Sequence, residues 1–346
     1  MVGRERVFNL MNQMNGGRVK SGVVFSVVIP AFNVGVYLDG TISSVLRQTF
    51  KSFEIIVVDD GSTDDSYEIA NRFSKKHDCI RVISQINQGV GAARNTGLRS
   101  AVGQYVVFAD GDDWLTNDAL EVFAKSFKNN PDAIFGNRIR YDEKSQVSSD
   151  EDTFMHESTG PVRPGRGLLR RFAVTGRAFN VDFLRRHSIC FPLGMIWEDY
   201  SFSYRVLAHA NSVDVRKEHI YCYRIRNQPQ PSLTQQKRFS MFGLQSRFRQ
   251  IDDCQKIIEL TRLQRFFPKY NFVGCDYGYR LTRDMRYLPH GVLDAERLAA
   301  LDAYAGYLLD RERIWRPAVT SEINSLFDAI LAKNFGLAIN QLRQLK

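Results

Sequence analysis

Nowhere in the 346 residues is there a run of about 18 consecutive apolar side chains, the length a helix needs to cross a bilayer. The opening stretch MVGRERVFNLMNQMNGGRVKSG also lacks an apolar block of signal-peptide length. These absences argue against a helical span and predict a soluble, cytoplasmic chain. Cysteine is sparse: Cys79, Cys190, Cys222, Cys254 and Cys275 are scattered and form no CxxC spacing. That argues against a disulfide framework and a zinc cluster, and leaves reduced thiols, mostly in the core. There is no repeat of fixed period and no low-complexity linker. No GxxxxGK[ST] sequence is present either, so a phosphate is not held by that type of loop.

What is present is an ordinary globular composition, 44% hydrophobic and 25% charged, long enough for one large domain and a smaller one. The net charge of +9 is uneven. Residues 236–346 hold 18 Lys and Arg against 12 Asp and Glu. Such an excess either steers an anionic partner or belongs to a solvated helical surface.

Up to about residue 230 the chain alternates strands with helices. VVFSVVIP (23–30) is a β-branched apolar run stopped by Pro30, and YLDGTISSVLRQ then places Leu38, Ile42, Val45 and Leu46 on one helical face. The cycle repeats through EIIVVDD, IRVIS and QYVVFADGDD, each followed by an amphipathic segment, with DAIFGNRIR as a further strand. Continuous apolar strands separated by helices predict an α/β fold, a mostly parallel sheet with helices on both faces. In such sheets ligands bind beyond the carboxyl ends of the strands. The polar clusters lie at those ends: PAFN (30–33), DDGSTD (59–64), NQGVGAARN (87–95) and DGDD (110–113). Singly, DDGSTD is a turn with a helix cap and GVGAA often marks only close packing. Four clusters in register point to one crevice.

Asp110, Asp112 and Asp113 crowd negative charge at the end of a strand. Unpaired, they would repel one another and their pKa values would rise. A hard divalent cation, Mg2+ or Mn2+, takes such oxygen ligands together with substrate phosphates. The simpler alternative is a turn in which Asp113 caps the next helix.

The order VVIPAFN, QTFKSFEIIVVDDGSTDDS, NQGVGAARNTGL and YVVFADGDDWLTNDAL closely resembles the glycosyltransferase family 2 core. That is a GT-A fold using nucleotide-diphosphate sugars, and the resemblance covers roughly residues 24–230. It implies that Pro30, Ala31, Phe32 and Asn33 border the nucleotide, with Phe32 stacking on the base and Asp60 accepting a base N–H. It further implies that Asn87, Gly89, Arg94 and Gly111 line the nucleotide sugar, with Arg94 closing over it. Asp110 and Asp112 match the DxD motif, Asp110 toward ribose and metal and Asp112 as the main metal ligand. Asp113 matches the last position of the longer form.

GMIWEDYSFSYRVL (194–207) places Glu198 and Asp199 at a helix start, which favours ionised Asp. The pair resembles the family's acceptor-side ED motif. That resemblance makes Asp199 the general base and Glu198 an acceptor-side or metal-side helper, against N-capping as the alternative. YCYRIRNQPQPSLT (221–234) reads as a last strand and polar loop, where Arg224, Arg226, Ser232 and Thr234 either touch the diphosphate and acceptor or are ordinary strand edge. His219 is placed before that strand and left unassigned. The stretch 142–165 reads as an acceptor-side loop.

The expected organisation is an N-terminal extension (1–22), a GT-A domain (23–235) and a basic helical region (236–346). The resemblance implies an inverting transfer from a UDP-sugar to a hydroxyl of a bacterial surface glycan or polyol-phosphate polymer. The helical region has three candidate tasks: binding acceptor, associating peripherally with the inner face of the membrane, or forming a homo-oligomer. A glycoside hydrolase would need neither nucleotide pocket nor metal cluster. A nucleic-acid partner is not expected, because the C-terminal aromatic and basic residues follow helical core spacing. The remaining alternative is a catalytically weak module that binds a nucleotide sugar or an anionic polymer.

Overall fold

A computed structural model of the protein describes residues 22–151, 154–162, 168, 173–226 and 241–266, with Ser325, Asp328, Ala329 and Ala332 besides. The expected extension therefore falls outside the described residues except for Gly22, as does most of the expected helical region.

β1 (Phe25–Ala31) and β2 (Phe53–Asp59) are buried at every position, as strands covered on both faces must be. With β3 (Ile80–Ser84) and β4 (Tyr105–Phe108) they form a parallel block in the order β3-β2-β1-β4. The connections are α1 (Gly35–Leu46), α2 (Ser66–Ser74) and α3 (Val90–Ser100). After β4 come β5 (Trp114–Leu115), α4 (Ala119–Ala124), β6 (Ala133–Asp142), β7 (Val147–Glu151) and β8 (Ser158–Gly160). Then follow β9 (Arg177–Asn180), α5 (Val181–Arg186), α6 (Glu198–His209), β10 (Val213–Ile225) and α7 (Met241–Glu259).

The two sides of each central strand feed two cores. Val28, Ile56, Val58, Val106 and Phe108 pack with residues of α3 and α6, whereas Val27, Ile29, Ile55, Val57 and Val107 pack with Leu38, Ile42 and Val45 of α1. This is the period-2 alternation of a sheet with helices on both faces, and the expectation from the apolar runs holds. β9 is reversed within the row of long strands: it inserts between β4 and β6 and runs antiparallel to both, while β5, β7 and β8 pair antiparallel at the margins. β10 then pairs in parallel with β6.

Two local expectations are corrected. The stretch 142–165 contains β7, paired with β6, and β8, paired with β10. The first turn is set by Asp142, whose carboxylate accepts from Lys144 N (3.0 Å) and Ser145 N (2.9 Å). His219 lies within β10, not before it, because the strand begins at Val213 and passes through irregular register on both sides of His219. The charged run Arg216–Glu218 hides that strand from an apolar pattern.

α7, the first described helix beyond residue 235, shares a core with α6. Its Cys254, Ile257 and Ile258, with Leu263 beyond it, join the cluster that holds Phe202, Val206 and Leu207 of α6. Arg205 of α6 reaches both carboxylate oxygens of Asp253 at 3.0 and 3.1 Å. No helix of the described residues is long and apolar enough to cross a membrane.

Candidate active site

The carboxyl ends of β1 and β2 are tied together by Asp60, whose N–H donates to Ala31 O at 2.8 Å. Its carboxylate is 2% exposed and holds the following loop down. Oδ1 accepts from Gln85 Nε2 (2.7 Å) and Gln88 N (3.0 Å), and Oδ2 accepts from Gly89 N (2.8 Å). Gly89 then starts α3 at φ 89, a conformation that favours glycine. Pro30 and Ala31 are buried in β1 and Asn87 is exposed on its loop, while Phe32 keeps 45% of its surface open beyond the strand. Asn33, at φ 52, accepts from Thr63 N at 2.8 Å. An exposed ring beside a buried acceptor is the arrangement a flat heteroaromatic ligand would need.

The loop after β4 is fastened at every residue. Gly111 lies so close to β1 that a Cβ would stand 3.0 Å from Pro30 O and 2.9 Å from Val34 Cγ2. The Thr41 hydroxyl sits 2.7 Å from Asp113 O and 3.0 Å from Gly111 O. Asp113 does not cap a helix: α4 begins at Ala119, and Asp113 is buried under β10. There Oδ2 accepts from the Tyr221 hydroxyl (2.6 Å) and Oδ1 from Arg224 N (2.8 Å). Burial, with Asp112 and Asp110 adding repulsion, holds the Asp113 carboxyl well above the usual aspartate range.

Asp110 and Asp112 are each held by one oxygen. Asp110 Oδ1 accepts from Arg94 Nη2 at 2.6 Å, and Asp112 Oδ2 from Arg226 Nε at 2.6 Å. Among the described residues Asp110 Oδ2 and Asp112 Oδ1 accept no hydrogen bond. Burial raises the Asp112 pKa against the pull of Arg226, and Asp110 adds to the rise. Two adjacent carboxylates, each with an open oxygen and in mutual repulsion, fit a hard divalent cation by the chemistry of the donor set.

Arg94 joins this half of the site to the other. It is buried on α3, its plane lies 5.4 Å from the Phe191 ring, and Nη1 donates to Glu198 Oε1 while Nη2 holds Asp110. Burial alone would lower its pKa. The carboxylates of Asp110 and Glu198 outweigh that and raise its pKa. Its Nε is buried without a partner. Glu198 is pushed up to about 7, first by burial, with Arg94 opposing and Asp199 adding repulsion. Asp199, next along α6, forms no hydrogen bond or ion pair among the described residues. Burial raises its pKa too, with Arg94 opposing the shift and Asp110 adding to it.

The last strand supplies the remaining charges. Arg224 Nε donates to Asp112 O (2.7 Å) and Nη1 to Glu143 (3.3 Å), and its guanidinium lies 4.9 Å from the Tyr37 ring and 4.8 Å from the Trp114 ring. Arg226 stacks over the same Tyr37 at 5.1 Å. Ser232 and Thr234 lie outside the described residues. The structure thus brings Arg94, Asp110, Asp112, Glu198, Asp199, Arg224 and Arg226 to one place. The sequence reading missed Tyr221, Thr41 and Tyr37. Tyr221 opens the YCYR segment, and that was its one visible signal.

Residues 26–187 match the Glycosyl transferase family 2 profile. The chain carries a family 2 glycosyltransferase domain. It is 32% identical over 213 residues to Glycosyltransferase GlyA of Streptococcus pneumoniae, a match covering 58% of this chain and 30% of that protein. With the uncharacterized glycosyltransferase EpsJ of Bacillus subtilis it shares 30% over 208 residues, 58% of this chain and 60% of that one. The chain therefore spans less than two thirds of each. Among solved structures it resembles S. aureus TarS 1-349 in complex with UDP, with TM-score 0.68 at 20% identity over 93% of this chain and 89% of that one. TarS 1-349 in complex with UDP-GlcNAc gives TM-score 0.60 at 19% identity, covering 93% and 90%. The fold of the family 2 domain is GT-A.

Proposed function

We propose that the protein is an inverting glycosyltransferase that moves a sugar from a UDP-sugar to a hydroxyl of a bacterial surface glycan or polyol-phosphate polymer. One observation carries the reading. Asp199, a carboxylate without hydrogen bond or ion pair among the described residues, stands at the start of α6, linked through Glu198 and Arg94 to Asp110. A base set on one side of a nucleotide half suits direct attack by an acceptor hydroxyl opposite the leaving group. Its raised pKa makes it a stronger base than an ordinary aspartate, though it must remain ionised to act.

In this reading Phe32 and Asp60 receive the base. Arg94 orients Asp110 and Glu198 and keeps the two halves in register. Asp110 and Asp112 would hold Mg2+ or Mn2+ through their open oxygens, with Arg226 beside them. Bound there, the cation would stabilise the negative charge that develops on the leaving diphosphate. Glu198 flanks the base, and Asp110 adds the repulsion that, after burial, raises the pKa of Asp199. The UDP choice is supported by the fold neighbours solved with UDP and with UDP-GlcNAc. The acceptor class is supported by the charge excess over 236–346, which also suits peripheral attachment at an anionic membrane surface.

Calorimetric titration with UDP, with and without EDTA, tests the reading. Binding of UDP over purine diphosphates that EDTA weakens is expected. Undiminished affinity in EDTA would remove the metal from the proposal, and absence of UDP binding would remove the donor. Product anomeric configuration, read by NMR, decides inversion.

A further inference from the structure

We propose that α7 is a positioning element for the Glu198–Asp199 pair, with Arg249 holding the backbone of the preceding loop and Arg247 clamping Trp197. The inference rests on Asp199 acting as the base. It concerns residues beyond the segment that matches the family, 26–187.

The starting point is a strained cap. Trp197 occupies the N-cap position of α6 at φ 64, in the left-handed region, and no side chain caps the helix. For a bulky side chain that conformation costs on the order of 1–2 kcal/mol and persists only where the surroundings impose it. The two residues that follow are Glu198 and Asp199, so the direction in which the helix leaves Trp197 sets where both carboxylates point.

The surroundings that impose it come from two helices. On one side Asn95 of α3 pairs with Phe191 in both directions, Nδ2 to the carbonyl and Oδ1 from the N–H, each at 2.9 Å. On the other side Arg249 of α7 donates from Nη1 to Gly194 O at 2.9 Å and from Nη2 to Leu193 O at 3.3 Å. Gly194 is itself at φ 65. Arg247, two residues earlier on α7, lays its guanidinium 3.8 Å from the centre of the Trp197 ring and 5.6 Å from that of Tyr200. A cation at that distance over an indole is attracted by the ring face and fixes its orientation. α7 can bear this load because it is itself anchored on α6, through Arg205 on Asp253 and through Cys254, Ile257 and Ile258 in the shared core. α3 therefore holds the start of the loop and α7 its end.

Arg247→Met keeps an apolar stem and removes the cation. Arg249→Gln shortens the reach to the two carbonyls. Three readouts are made on the full chain: UDP affinity by calorimetry, UDP release from UDP-GlcNAc with water as acceptor, and hydrogen exchange of the 193–199 amides. Each substitution is expected to speed exchange at 193–199 and lower kcat by about 10–100-fold, the size expected when a reacting group is misplaced by about 1 Å, with UDP affinity unchanged. Arg247→Lys should recover part of the kcat. Parental kcat and exchange in both variants would overturn the proposal. So would an equal loss of kcat and UDP affinity, which would mark general destabilisation. If the parent neither binds UDP nor releases it from UDP-GlcNAc, the transferase reading fails. Exchange at 193–199 then still decides whether α7 holds the loop.

Discussion

The Tyr221 hydroxyl donates to Asp113 Oδ2 across 2.6 Å, and its oxygen accepts from Asp110 N at 3.0 Å. A single phenol on β10 thereby fixes both ends of the DGDD loop. Tyr221→Phe keeps the ring and removes the donor from a buried carboxyl, so unfolding in urea should show a loss of about 1–3 kcal/mol. UDP affinity should fall as well, because the Asp110 backbone loses its acceptor. An unchanged urea midpoint would mean that Arg224 N alone satisfies Asp113.

Asp199→Asn preserves size and abolishes basicity. Turnover should drop by roughly 10²–10⁴-fold, the range for loss of a general base, while UDP binding is retained. The base works only when ionised, and its pKa is raised by burial. The parental rate should therefore decline on the acid side at a higher pH than an ordinary aspartate would dictate. A variant transferring at nearly the parental rate would remove Asp199 from the mechanism.

Glu198 gives the stability of the protein a pH dependence of definite sign. In the unfolded chain its carboxyl releases a proton near 4.5, whereas in the folded chain it keeps it up to about 7. The native state therefore binds the extra proton between those values. Its contribution is complete below about 4.5 and is lost as pH rises through about 7. Glu198→Gln cannot titrate, so its stability curve should be flatter across this window, by up to about 3 kcal/mol relative to the parent. Parallel curves for the two proteins in chemical denaturation would show that Glu198 is ionised throughout.

Gly91 is a contact point between α3 and the loop that leads into α6. A Cβ there would stand 2.7 Å from Pro192 O and 3.3 Å from Glu198 Cγ. Gly91→Ala must push that backbone outward, at a cost of about 1–3 kcal/mol as for other overpacked sites. The thermal midpoint should fall and kcat with it. If both are unchanged, the loop moves freely away from α3.

The parallel block was legible because its strands are continuous apolar runs, and the carboxyl-end clusters fell into place once those strands were counted. The crowding of Asp110, Asp112 and Asp113 at a strand end was visible in the sequence, and the resemblance to the family's DxD motif singled out Asp110 and Asp112 among them. Tyr221 and Thr41 could not, since each acquires its role from a contact with the Asp110–Asp113 loop roughly a hundred or seventy residues away. The RAFN strand β9 is too short for any periodicity to show. In 142–165 the polar strands β7 and β8 gain their partners only from β6 and β10, and a segment without an apolar face looks like a loop. The GVGAA signal proved to be packing at Gly91, as close helix approach requires, and at the same time a support for Glu198.

The reversed strand β9 has a bearing on how this chain can be divided. Until residues 177–180 have been made, YVVF of β4 presents one side of its backbone with no neighbour to pair with. An exposed, uncharged edge of this kind recruits other chains. A recombinant piece holding only the first four strands should thus come out of cells as aggregate, however complete its nucleotide shelf. The earliest point at which a nascent chain can leave the ribosome with that edge closed is after Asn180, long before Glu198 and Arg224 arrive to complete the cleft.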